Sequence, residues 1–139
     1  MSAKYLLDTN IVSEPLRPAP NAKVLARLKR HQDELAIASV VWHELWFGCR
    51  RLPASAKRIT IERYLNEVVN VSMPILPYDQ TAAEWHAAER ARLTALGKTP
   101  PFADGQIMAI AHANGLILVI LNPSDYAAFG EVKVEDWSR

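Results

Sequence analysis

The chain alternates short, purely apolar runs with longer stretches in which apolar residues recur at helical spacing. Tyr5-Leu6-Leu7 ends abruptly at Asp8 and predicts a buried strand with a polar tip. A helical stretch around Ile11–Leu16 is interrupted by Pro15, Pro18 and Pro20, and Asn21 then predicts the N-cap of a helix through Arg30. Leu35–Ala38 reads as a second strand. A helix from Val40 to about Leu52 stops at Pro53, and Ser55 caps another to about Val69. Val71–Leu76 reads as a third strand near a sheet edge, because Pro74 cannot donate to a ladder. Asp79 caps a long helix ending at Gly97, a left-handed terminator. A helix over about Asp104–Asn114 closes at Gly115, Leu116–Leu121 is the strongest strand, and Val132–Val134 reads as a last short one. Strands alternating with helices predict an α/β fold: a central, mainly parallel β-sheet of four to five strands flanked by helices on both faces.

Composition narrows the class. The 139 residues are 50% hydrophobic and 22% charged, with no internal repeat or long linker, and predict a single domain over 1–139. Area scaling leaves about 7,000 Å² exposed on folding, so about two-thirds of the extended chain's surface is buried. One cysteine, Cys49, excludes an internal disulfide and a multi-cysteine zinc site, and suits a reducing, cytoplasmic setting. No apolar run approaches the roughly 20 residues that span a bilayer, so no membrane association is expected. Sixteen basic residues balance fifteen acidic ones, so a polyanion would have to be gripped by local clusters or bound cations.

In a parallel sheet, ligands bind beyond the carboxyl ends of the strands. Asp8 stands there after the first strand, and Asn122 and Asp125 after the long apolar one, although both segments also suit ordinary turns. Glu44 shares a helix face with Val41, Leu45 and Gly48, at the margin of the buried surface, while His43, Arg50 and Arg51 fall on the wet side. A boundary glutamate paired with Arg51 would look the same. Asp104 starts a helix, where the dipole favours a charged carboxylate whether it caps the helix or holds a ligand. Taken together, these oxygen groups would repel one another and raise their pKa values unless a divalent cation joined them. An all-oxygen set favours Mg²⁺ or Mn²⁺ over zinc, and the chemistry of such sites is phosphoryl transfer or phosphodiester hydrolysis. No phosphate-cradling glycine loop or serine-nucleophile elbow is present.

Four segments carry a family resemblance: Leu6-Leu7-Asp8-Thr9-Asn10-Ile11-Val12-Ser13-Glu14, Val41-Trp42-His43-Glu44-Leu45, Phe102-Ala103-Asp104-Gly105-Gln106-Ile107, and Gly115–Leu121 followed by Asn122-Pro123-Ser124-Asp125-Tyr126. In this order and spacing they resemble the PIN-domain ribonucleases, and among them the VapC toxins of type II toxin–antitoxin modules. Ser13-Glu14-Pro15-Leu16-Arg17 is similar to the FitB-like subgroup. The resemblance implies a PIN-like fold and a Mg²⁺- or Mn²⁺-dependent endoribonuclease that cleaves tRNA or rRNA by metal-activated water. It also implies inhibition by a cognate VapB-type antitoxin. The family's acidic quartet falls on Asp8, Glu44, Asp104 and Asp125, with Asn122 as a further metal ligand and Thr9 and Asn10 in support. Two departures stand out. Ile120 replaces a threonine common at the end of the last core strand, and Asn122 carries one charge fewer than the acid some members have, which implies modest metal affinity.

Arg50, Arg51, Arg90, Arg92 and Lys98 are the candidate RNA contacts, although Arg90 and Arg92 point in directions too different for both to face one groove. Trp42, Trp46, Trp85 and Trp137 offer stacking surfaces, although Trp42 and Trp46, spaced i and i+4, better suit a core or an interface. The Val40–Cys49 helix is apolar over more than half its girth, with Phe47 toward the polar side, and predicts a homodimer or antitoxin contact. Two other readings compete: a phosphotransferase forming an aspartyl-phosphate on Asp8, and a non-enzymatic binding module. The first usually has an acid two residues on, where this chain has Asn10; the second leaves the four acids without a purpose.

Overall fold

A computed structural model describes residues 2–121, 126 and 128–139. Five parallel strands, β1 (Tyr5–Leu7), β2 (Leu35–Ala38), β3 (Ile75–Leu76), β4 (Ile117–Ile120) and β5 (Val134–Asp136), form one sheet in the order β3-β2-β1-β4-β5. Leu6 pairs with Ala36 on one side and Leu118 on the other. Consecutive residues of β1 and β2 are all buried although their side chains alternate between faces, so both faces of the sheet are covered.

The chain leaves β1 toward β2 and later returns to β4 on β1's other flank. The carboxyl end of β1 is therefore a topological switch point, where the flanking connections diverge and leave a crevice. Asp8 occupies that end, its N–H donating to the Val119 carbonyl at 3.0 Å. It is followed at once by α1 (Thr9–Ser13) and a single 3₁₀ turn, Glu14–Leu16.

The remaining helices are α2 (Ala22–Arg30), α3 (Ser39–Arg50), α4 (Ala56–Tyr64), α5 (Asn70–Ser72), α6 (Gln80–Ala95) and α7 (Phe102–Ala113). The expected caps are in place: Asn21 Oδ1 accepts from the Lys23 and Val24 N–H groups, Ser55 Oγ from Arg58, and Asp79 Oδ1 from Ala82. Gly97 and Gly115 end α6 and α7 at φ +76° and +63°. None of these helices, among the described residues, is long and apolar enough to cross a membrane.

Three boundaries differ from the sequence reading. A π-helical turn at Leu65–Val69 carries α4 into α5, so helix continues through Ser72 and only Ile75–Leu76 pairs as strand, instead of Val71–Leu76. Val69 is buried while Val71 is exposed, so burial favours the helix there. The last strand lies two residues later than Val132–Val134, because Glu135 and Asp136 pair through their backbones at a sheet edge. Helix α7 starts at Phe102, two residues before Asp104.

Helices α6 and α7 pack so closely that Gly105 lies flush against the buried His86 ring; a Cβ at 105 would collide with His86 Nε2. Tyr78 Oη is hydrogen-bonded to His86 Nδ1 at 2.7 Å. Burial, and secondarily the Arg90 charge, hold the His86 pKa below its ordinary value. Trp137, one of the sequence's candidate stacking surfaces, is instead core: it is 1% exposed and packs against Tyr5 and His31.

Candidate active site

Three segments far apart in sequence bring their acids together at the end of β1. Asp8 comes from the strand end, Glu44 from the middle of α3, and Asp104 from the first turn of α7, with Pro101 rather than Asp104 at the cap position. Thr9 Oγ1 donates to Glu44 Oε1 at 3.0 Å and ties α1 to α3. Asn10 is exposed on α1.

The Asp8 carboxyl is pushed up to about 6. Burial is the largest cause, followed in the same direction by the charges of Glu44 and Asp104; the Thr9 N–H and the Tyr126 hydroxyl pull the other way. A half-buried acid with two others in electrostatic reach is the arrangement a divalent cation relieves. Neither Asp8 nor Glu44 makes an ion pair among the described residues. Arg51, the alternative partner for Glu44, lies over the Phe47 ring at 5.6 Å. The donors are hard oxygens, which fits Mg²⁺ or Mn²⁺. Among the described residues no group of three or more His, Cys, Asp or Glu side chains is placed to hold a metal ion. Asn122 and Asp125, the other two expected ligands, lie outside the described residues.

Glu44 faces a groove of about 650 Å³ lined also by Thr9, His43, Phe47, Phe102 and Gln106. His43 and Glu44, assigned to different sides of α3 by the helical wheel, both reach it. A smaller groove on the far side of Glu44 runs past Ser13, Leu16, Ile61 and Leu65.

The candidate RNA contacts separate. Arg51 lines the main groove, while the Arg90 guanidinium sits 5.2 Å over the ring of groove-lining Phe102 and itself lines a separate hollow with Ala87, Ala91 and Thr94. Arg50 lies over Trp46, at 5.0 Å, on the outer side of α3. Arg92 is engaged by both carboxylate oxygens of Glu89, at 2.7 and 2.9 Å, and donates to the Ala128 carbonyl. Lys98 is exposed beyond the end of α6. Trp42 and Trp46 meet edge to face, half-buried, and Trp85 stacks on His112.

The sequence reading missed Tyr126. Its buried hydroxyl donates to Asp8 Oδ1 at 3.4 Å. Burial, then the Asp8, Asp104 and Glu44 charges, push its pKa up and keep it a donor. Its place directly after Asp125 in a motif already singled out was the available signal. Cys49 is buried and free, and burial pushes its thiol up, away from the reactive thiolate.

The PIN domain family model matches residues 5–131. The chain is 30% identical over 136 residues to the tRNA(fMet)-specific endonuclease VapC of Shigella flexneri, covering 97% of this chain and 98% of that one. It is 30% identical to Toxin FitB of Neisseria gonorrhoeae, with 95% and 97% coverage. Among solved structures, FitAB bound to an IR36 DNA fragment superposes with a TM-score of 0.87 at 28% identity, over 97% of this chain and 96% of that one. With the acids at the strand end, the five-stranded parallel sheet and near full-length similarity, the chain belongs to the PIN-domain family, alongside the VapC and FitB toxins.

Proposed function

We propose that this protein is the toxin of a type II toxin–antitoxin pair and acts as a ribonuclease, a hydrolase of RNA phosphodiester bonds. The finer reading is an endoribonuclease of the cytoplasm that depends on Mg²⁺ or Mn²⁺ held by Asp8, Glu44 and Asp104, with Asp125 and Asn122 completing the set. Its expected substrates are tRNA or rRNA, and a cognate VapB-type antitoxin restrains it, in line with relatives named as a toxin and a tRNA endonuclease. The observation that carries the reading is the half-buried Asp8 carboxyl, within electrostatic reach of two further acids and pushed up to about 6.

A cation bound there would supply Lewis acidity toward the phosphate and a lowered pKa for water. The chain's own residues do the rest. Thr9 fixes one Glu44 oxygen, Tyr126 fixes one Asp8 oxygen, and Asp104 sits in the first turn of α7, at the positive end of that helix's dipole.

Purified chain freed of antitoxin is expected to cut RNA with Mg²⁺ or Mn²⁺, to stop when EDTA is added, and to leave 5′-phosphate and 3′-hydroxyl ends. A 2′,3′-cyclic phosphate would mean that the ribose hydroxyl attacked, and would overturn the mechanism. A phosphoenzyme trapped on the parent chain and lost in Asp8→Asn would favour the phosphotransferase reading instead.

A further inference from the structure

Among the described residues, large hydrophobic side chains stand out into solvent at Phe47, Ile59, Val68, Val71, Leu96 and Phe102. The two aromatic ones, 60% and 50% exposed, line the same groove as Glu44, one on each wall. Their sequence positions explain why. Phe47 lies one turn beyond Glu44 on α3, and Phe102 opens α7 two residues before Asp104, so each ring is carried by an element that also carries a site acid.

Each ring is also set in place. The His43 ring is parallel to Phe47, with centroids 6.3 Å apart, and the Phe102 ring leans on buried His86 at 4.8 Å. Each has a guanidinium over it, Arg51 on Phe47 and Arg90 on Phe102. The groove is therefore acidic near Glu44, and on either side has an exposed ring with a cation beside it.

We propose that Phe47 and Phe102 are stacking platforms for unpaired nucleobases on either side of the phosphate to be cut, with Arg51 and Arg90 serving the neighbouring phosphates; this rests on the ribonuclease reading above. An exposed ring gains by being covered with a flat base, and any base has such a face. A duplex has its bases already stacked on one another and offers none, so these platforms select single-stranded loops. The paired guanidiniums match a polyanion and explain why a nearly neutral chain needs no broad basic surface. Phe47 also borders the outer groove of Trp42 and Trp46, so a protein partner covering that side is the competing occupant the experiment must separate.

The test compares Ala, Leu and Trp at positions 47 and 102, after circular dichroism and thermal melting show each variant folded. Phe47→Ala and Phe102→Ala are each expected to raise KM for a single-stranded RNA about tenfold, with kcat changing much less. Phe47→Leu should behave like Ala, and Phe47→Trp like the parent. Independently of cleavage, a short unpaired oligonucleotide carrying 2-aminopurine should be quenched on binding the Asp8→Asn chain, and much less on binding Asp8→Asn with Phe47→Ala. Unchanged KM and quenching in the Ala variants would overturn the proposal, as would Leu matching Phe. So would Ala variants that lose antitoxin binding or self-association while RNA binding stays intact. Quenching without any cleavage by the parent would instead sink the ribonuclease reading and leave the platforms standing.

Discussion

Two acids are drawn into the same end of this protein and treated in opposite ways. Glu14, 2% exposed, receives the Asn21 N–H at 2.8 Å on one oxygen and the Arg17 guanidinium at 3.4 Å on the other. It holds the turn after α1 to the start of α2. Asp8, six residues earlier, is half-buried within electrostatic reach of Glu44 and Asp104, and among the described residues the Thr9 N–H and the Tyr126 hydroxyl are its counterweights. What separates the structural carboxylate from the functional one is what the fold gathers around it. Donors make the acid part of the scaffold. Further acids leave an electrostatic demand that a cation from solution meets.

The comparison breaks most decisively in cleavage assays. Asp8→Asn, Glu44→Gln and Asp104→Asn are each expected to cost more than about a hundredfold in rate, beyond what loss of an outer supporting contact costs. Glu14→Gln should leave the rate of the folded protein nearly unchanged. Equal losses for Glu14 and Asp8 would erase the distinction.

Stability should move the other way. The native state holds the Asp8 proton more tightly than the unfolded chain does, so leaving that carboxyl charged above about pH 6 destabilises the fold by up to about 3 kcal/mol. Asp8→Asn removes that cost. In EDTA at pH 8 its urea midpoint should exceed the parent's, and the margin should shrink as pH falls below about 6 and vanish near the ordinary aspartate value of 3.8. A margin that grows on acidification would contradict the assignment.

Glu14→Ala should instead lower stability by about 1–3 kcal/mol in the same urea series, because the Asn21 N–H loses its acceptor in a nearly closed site. The smallest effect belongs to Tyr126→Phe. Without the donor, the pH at which the Asp8→Asn margin begins to shrink should move up by a fraction of a unit, readable only in closely spaced melts.

The sequence disclosed most of this scaffold because the signals were local. Apolar runs marked β1, β2 and β4, and Asn21, Ser55 and Asp79 marked helix starts through bonds made within three residues. It missed what depends on distant partners. The last strand, expected at Val132–Val134, lies two residues later because Glu135 and Asp136 pair through backbone groups while their side chains read as polar, and Val71 looks like strand but continues a helix anchored by buried Val69. Asp8, Glu44 and Asp104 stand out by their places on elements, whereas Tyr126 offers only its place after Asp125, since its value lies in one hydroxyl reaching Asp8. Aromatic roles were assigned by size and spacing, which favoured the tryptophans. The fold buries Trp137 and leaves two phenylalanines open beside the acids.

The contact between His86 and Gly105 bears on how such a site can drift over generations. The imidazole fills the volume a side chain at 105 would need, one residue from Asp104, so position 105 is not free to vary while histidine stands at 86. A descendant bearing alanine or serine at 105 must first acquire something smaller than histidine at 86, or push apart the two helices that present the acid. Lineages of this chain are therefore expected to change 105 only together with 86, and a laboratory library randomised at both positions should recover matched sizes rather than independent choices.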